Sequence, residues 1–200
     1  MVLACLTTTF WGAARLGEVT VPNLSAFDPR RHIKRSDLGE SVDRRGLKTT
    51  TIHVPMTKAN QNEGESLYWA KQDGASNPEE ALLRHLEFNN PPANFHLFGY
   101  MNNQGVITPM TKKTFTARVS KAALTAGLMQ IKGYSIRIGA TLEYLLRGIP
   151  FDVMKVKGLW NSNAFHKYLR DHMRVMAPYM QQAPPDVHDQ FIRVAVPSAC

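Results

Sequence analysis

The chain has 200 residues, a length that suits one globular domain and leaves little for a second. Its 24 Lys and Arg against 16 Asp and Glu give a formal net charge of +8. This excess favours a polyanionic partner, with nucleic acid ahead of a membrane surface. The apolar residues 1–10 lack the basic start of a signal peptide, and no run of 18 apolar residues predicts a membrane span.

The two cysteines, Cys5 and Cys200, lie at opposite ends of the sequence. Neither has the spacing to a second cysteine or a histidine that a zinc site requires. We therefore expect no metal site and predict reduced thiols in an intracellular protein.

The first predicted helix covers residues 3–16, and its helical pattern ends near Thr20. Residues 27–45 predict a charged loop. The basic run at 30–35 within it has two interpretations, a solvated loop or a patch for phosphate contact or nuclear import.

Two extended runs, KTTTIHVPM at 48–56 and SLYWAK at 66–71, flank a turn-like segment at 60–64. Their β-branched and alternating residues predict an antiparallel hairpin with Lys58 near its tip. A helix then begins with Asn77 as N-cap and Pro78 at its first position. Further helices are predicted at 111–124, 135–146, 151–157 and 163–180. The predicted fold class is therefore α+β, mostly helical, with one small antiparallel sheet.

Four short motifs follow one another along the chain. The first is Ala14-Arg15-Leu16-Gly17-Glu18, and the second is Met56-Thr57-Lys58 ahead of the hairpin turn. The third, Gly133-Tyr134-Ser135-Ile136-Arg137, begins a predicted helix. The fourth covers residues 157–170 and contains Tyr168. In this order they resemble the catalytic boxes of the tyrosine recombinase, or phage-type integrase, family, and most closely the versions in fungal mobile elements.

The resemblance implies the recombinase catalytic-domain fold over residues 1–180, truncated at its N-terminal side. Residues 181–200 would form a C-terminal tail, and the N-terminal core-binding domain of such enzymes would be absent. Residues 171–200 would pack either on a neighbouring subunit, as in the family, or on their own domain.

By the same resemblance, Arg15 and Arg137 hold the scissile phosphate. A guanidinium suits this role because its planar fork donates two hydrogen bonds and stays charged. Glu18, one turn after Arg15, would orient it, although the pair taken alone is also typical of a surface salt bridge.

The remaining roles fall to a lysine and a tyrosine. Lys58 would be the general acid that protonates the leaving 5′ oxygen, since a lysine ammonium is protonated at neutral pH. Lys71 is a poorer candidate because it lies past the turn, on the second strand. Tyr168 would be the nucleophile, in place of the alternative of a half-buried helical tyrosine.

The sequence departs from the family pattern at two positions. Tyr134 stands where the family has histidine, and a tyrosine is a poor proton acceptor at neutral pH. Leu159 stands nine residues before Tyr168, where the family has histidine or tryptophan. Trp160, one place later, either donates its indole N–H to the phosphate or packs into the core.

The predicted function is site-specific DNA recombination or integration through a 3′-phosphotyrosine intermediate, without a cofactor or metal. The predicted partner is double-stranded DNA, with self-association on the DNA, and the predicted location is intracellular, or nuclear in a eukaryote. Two alternatives remain open: a DNA-binding remnant that has lost catalysis, and a type IB topoisomerase.

Overall fold

The computed structural model describes residues 1–58, 60, 62–160 and 173. Over this part of the chain it contains six α-helices and two small antiparallel sheets, which confirms the predicted α+β class. The chain divides into two compact units, Met1–Arg137 and Ile138–Cys200. The predicted division at residue 180 lies outside the described residues and stays a prediction.

The first unit begins with two helices, α1 (Val2–Trp11) and α2 (Leu16–Val19), where the sequence predicts one. The prediction is wrong between them because Ala13 adopts the left-handed conformation, with φ at 49°, and turns the chain. Arg15 is consequently the N-cap of α2 and does not lie within a longer helix. The predicted end is correct, since Thr20 is the C-cap of α2.

Three antiparallel strands follow, β1 (Leu38–Val42), β2 (Lys48–Val54) and β3 (Glu65–Trp69), in that order across the sheet. The β2–β3 hairpin is confirmed, and its alternation buries Ile52 and Leu67 as a facing pair. Strand β1 was predicted as loop. Its five residues show no clear alternation because it is an edge strand with an exposed outer half.

Helix α3 (Pro78–Asn89) begins as predicted, with the Asn77 side chain accepting a hydrogen bond of 3.2 Å from the Glu79 N–H. The Trp11 indole N–H donates to the Ser76 carbonyl at 2.8 Å, which ties the end of α1 to the start of α3. A second hairpin, β4 (Tyr100–Met101) and β5 (Ile107–Thr108), was not predicted.

Helix α4 (Lys112–Thr125) is capped by Thr111, whose hydroxyl accepts from the Thr114 N–H at 3.1 Å. Its apolar face buries Phe115 and Val119, as predicted. The core of the first unit also contains other fully buried large side chains, among them Trp69, Phe98, Ile52, Leu97 and Met110.

Helix α5 (Gly133–Leu146) begins in the first unit and continues into the second, where α6 (Phe151–Lys157) follows. Tyr144, Leu145, Met154 and Trp160 are buried in the second unit. The predicted helix at 163–180 lies outside the described residues except for Met173, which is helical and exposed. None of the described helices has both the length and the apolar character needed to cross a membrane.

Candidate functional site

Arg15 and Glu18 form a closed pair at the start of α2. The guanidinium Nη1 of Arg15 lies 2.7 Å from Glu18 Oε1, and the Arg15 backbone N–H donates to Oε2 at 2.7 Å. Glu18 is 8% exposed, so its charge is set against Arg15 with little water between them. The contact expected from the sequence is present, and the Arg15 side chain keeps 30% of its surface exposed.

The start of α5 packs against the residue that follows Arg15. A Cβ at Gly133 would lie 2.8 Å from Leu16 Cδ2, so a side chain there would force the leucine to move. The glycine lets the helix begin this close to α2 without displacing the leucine. The first and third sequence motifs, which are far apart in the chain, are therefore neighbours in the fold.

Arg137 and Tyr134 lie in the first turns of α5 and differ in exposure. Arg137 is only 3% exposed, whereas Tyr134 is 49% exposed. A buried guanidinium requires acceptors or an anion nearby, because removing its charge from water is costly. The predicted phosphate roles of both residues stay predictions.

Helix α4 fixes the two arginine-bearing segments at its ends. At its start, the Lys112 N–H donates to the Val21 carbonyl at 2.9 Å, and the Val21 N–H donates to the Met110 carbonyl at 3.0 Å. Near its end, the Ser120 hydroxyl donates to the Ile131 carbonyl at 3.2 Å, just before α5. These bonds hold the chain after α2 and the chain before α5 on the same helix.

Lys58 lies in the connection between β2 and β3, with an exposed side chain. Within the part of the chain that the structure describes, its ammonium has no hydrogen bond or ion pair. The middle of β3 lies close to the α1–α2 link, because a Cβ at Gly12 would lie 3.7 Å from Leu67 Cβ. Lys71 follows β3 and is also exposed. Among the described residues, Arg15 contacts Glu18, whereas Lys58 forms no hydrogen bond or ion pair with either arginine.

The exposed face of α4 is strongly basic. Lys112, Lys113, Arg118 and Lys121 are exposed, and the helix contains no acidic residue. Among the described residues none of these four has an ion pair. Lys112 and Lys113 lie in the first turn, where their charge adds to the positive end of the helix dipole. This surface is therefore suited to a polyanion.

The basic run at 30–35 is a folded loop segment. Ile33 is fully buried, and Arg30 pairs with Asp28 at 3.2 Å. Lys34 pairs with Asp37, while Arg35 donates to the Pro91 carbonyl at 3.0 Å. Three of the four cations of this run thus have acceptors within the protein, which favours the interpretation as a loop over that of a free phosphate-binding patch.

In the second unit, α6 ends in a tight turn at Gly158, Leu159 and Trp160. Leu159 is left-handed, with φ at 55°, and the Trp160 N–H closes the turn on the Lys155 carbonyl at 3.0 Å. A Cβ at Gly158 would lie 1.6 Å from the Trp160 ring, so the indole lies directly over the glycine. Trp160 is 8% exposed and packs into this unit, which was one of its two predicted roles.

Lys157 is a buried cation whose burial no sequence pattern predicts. It is 6% exposed, and its Nζ lies 4.7 Å from the centroid of the Tyr144 ring. Burial lowers the pKa of Lys157 to about 8. A lysine in the last turn of a short helix is ordinarily solvated, so only the packing of α6 reveals it.

Tyr168, the predicted nucleophile, lies outside the described residues. Among those that are described, no group of three or more His, Cys, Asp or Glu side chains is arranged to hold a metal ion.

No protein-family model matches the chain. No curated protein matches it either. Among solved structures, the chain is similar to one described as the Flpe–Holliday junction complex, with 14% sequence identity and a TM-score of 0.49. The match covers 96% of this chain and 44% of that one, so the chain spans less than half of that protein's length. This likeness assigns neither a family nor an activity.

Proposed function

We propose that the chain cleaves and rejoins double-stranded DNA through a 3′-phosphotyrosine bond, as the catalytic part of a tyrosine recombinase of a fungal mobile element. The observation that carries this proposal is the packing of Gly133 on Leu16, which brings the segments of Arg15 and Arg137 together. Two arginines from distant parts of the chain, in segments that adjoin, support the proposal that they hold one phosphate between them.

In the proposed reaction, the hydroxyl oxygen of Tyr168 attacks the phosphorus and forms a new P–O bond, while the bond to the 5′ oxygen breaks. The leaving oxygen keeps the electron pair and takes a proton from Lys58, and the phenolic proton passes to solvent. Arg15 and Arg137 neutralise the charge that accumulates on the phosphate oxygens. The covalent link keeps the bond energy, so rejoining by a 5′ hydroxyl reverses the same steps.

The basic face of α4 supports DNA as the partner. Its exposed cations lie within about 14 Å along the helix, given a rise of 1.5 Å per residue over residues 112–121. Cations spread in this way contact phosphates of a duplex without reading its sequence. We further propose that subunits associate on the DNA, and that the protein acts in the nucleus if its source is eukaryotic.

The test uses a nicked suicide substrate, in which the short cleaved strand diffuses away and traps the covalent complex. Incubation with purified protein followed by denaturing electrophoresis should show a protein–DNA adduct that Tyr168→Phe abolishes. Tyr68→Phe, which changes an exposed tyrosine of β3, is the matched control and should leave the adduct unchanged. An adduct that survives Tyr168→Phe would refute the proposed nucleophile.

Tyr134 favours one alternative function, that of a DNA-binding remnant that has lost catalysis. The reason is that Tyr134 stands where the family has histidine. In that case the wild type binds DNA but forms no adduct, and Tyr134→His restores adduct formation. Relaxation of a supercoiled plasmid that lacks any specific site would instead indicate a topoisomerase.

A further inference from the structure

The loop between β2 and β3 is closed tightly at its base. Gly64 is left-handed, with φ at 69°, and a Cβ on it would lie 2.2 Å from the Val54 carbonyl oxygen. The ladder pair Val54 and Glu65 lies beside it, at the end of the sheet. A side chain at residue 64 would collide with backbone, which cannot yield as a flexible side chain can.

A partly buried hydrogen bond joins the two sides of the loop next to this base. The Thr57 hydroxyl donates to Glu65 Oε2 at 2.7 Å, and Thr57 is 4% exposed. Short hydrogen bonds to a carboxylate are stronger than those between neutral groups. Thr57 immediately precedes Lys58, so this bond fixes the backbone from which the lysine projects.

Asn60 fixes the chain on the other side of Lys58. The Thr57 N–H donates to the Asn60 carbonyl at 2.9 Å, and the Asn60 N–H donates back to the Thr57 hydroxyl at 3.0 Å. The Asn60 side-chain oxygen then accepts from the N–H groups of Asn62 and Glu63 at 3.2 and 3.0 Å. The loop is therefore hydrogen-bonded on both sides of an exposed lysine.

We infer that Thr57 and Glu65 are positioning residues for Lys58, holding its ammonium where it protonates the leaving 5′ oxygen. The inference rests on the proposed function and goes beyond it, because it assigns a purpose to a partly buried polar pair at the base of the loop. Lys58 is exposed and has no hydrogen bond or ion pair among the described residues, so the bonds at Thr57 and Asn60 gain a purpose if the position of Lys58 matters to a ligand. A misplacement of about 1 Å is enough to slow a catalysed step by about 100-fold.

The test compares two DNA substrates in the suicide assay. One has the ordinary phosphodiester, and the other has sulfur in place of the 5′ bridging oxygen. A thiolate leaves without protonation, so the sulfur substrate does not need the general acid. Lys58→Met should slow cleavage of the ordinary substrate by about 100-fold or more and cleave the sulfur substrate at the wild-type rate.

Thr57→Val should slow the ordinary substrate by about 10-fold to 100-fold and also regain the wild-type rate on the sulfur substrate. Glu65→Ala should repeat this pattern, and Thr57→Ser, which keeps the hydroxyl, should behave as wild type. Thr49→Val is the matched control, because Thr49 lies in β2 with its hydroxyl on the exposed surface. It should cleave both substrates normally.

The outcomes separate the inference from the proposed function. If wild type cleaves and Thr57→Val is equally slow on both substrates, or normal on both, the positioning role is wrong while the proposed function stands. If Lys58→Met is not rescued by sulfur, Lys58 is not the general acid and the inference is overturned with it. If wild type forms no adduct with either substrate, the proposed function itself fails, and the inference fails with it.

Discussion

Two histidines are buried in the first unit in their neutral form. His85 Nε2 donates to the Leu97 carbonyl at 2.8 Å, while Nδ1 accepts from the Asn89 side chain at 3.0 Å. His96 is fully buried, and its Nδ1 accepts from the Phe98 N–H at 3.2 Å. Burial lowers the pKa of His85 to about 4 and that of His96 to about 3. We therefore predict that acid destabilises this unit.

The size of the effect follows from the difference between the folded and unfolded pKa values. A histidine in the unfolded chain has a pKa of about 6.5. At pH 8 the two histidines are therefore neutral in both the folded and the unfolded chain, and their protonation takes nothing from the free energy of unfolding. As the pH falls through 6.5, the unfolded chain takes up protons that the folded chain excludes. By pH 5 each histidine should lower the free energy of unfolding by about 2 kcal/mol, or about 4 kcal/mol together. Such a loss is a large part of the 5 to 15 kcal/mol typical of a domain.

The assay is urea unfolding at pH 8 and at pH 5, followed by circular dichroism. His96→Phe keeps an aromatic ring next to Phe27 and Phe98 but removes one titrating group. It should reduce the loss between the two pH values by about 2 kcal/mol. His53→Gln, which changes an exposed histidine of β2, should keep the full wild-type loss. An unchanged loss in His96→Phe would refute the assignment of the acid sensitivity to His96.

Three further changes have predicted effects on the free energy of unfolding, measured by the same urea titration at pH 8. Leu159→Gly should stabilise the second unit by about 1 kcal/mol, because the left-handed conformation costs a leucine that much and glycine nothing, and a decrease would contradict this. Asn77→Ala should destabilise the protein by about 1 kcal/mol through loss of the α3 cap, whereas an unchanged value would mean that water replaces the cap. Glu18→Gln should cost about 1 to 2 kcal/mol, since it breaks a mostly buried contact with Arg15, and it should also slow DNA cleavage if Glu18 orients that guanidinium.

Where local chemistry decides the structure, the sequence predicted it. The α3 start follows from Asn77 and Pro78, because an N-cap and a proline at the first position act within one turn. The β2–β3 hairpin follows from alternating, β-branched runs, and its burial pattern matches that alternation. The pairing of Arg15 with Glu18 is equally local, since residues three apart meet on a helix.

Only the tertiary structure decided what depends on partners distant in sequence. Strand β1 exists because β2 pairs with it, and the first helix ends at Trp11 because the chain turns at Ala13 to place α2. The burial of Lys157 against Tyr144 and the hydrogen bond from Thr57 to Glu65 likewise depend on contacts that no local sequence pattern predicts. The approach of Gly133 to Leu16 is the decisive case. The sequence determined that each arginine segment resembles part of a clamp, but long-range packing, which no local propensity encodes, decided that the two lie side by side.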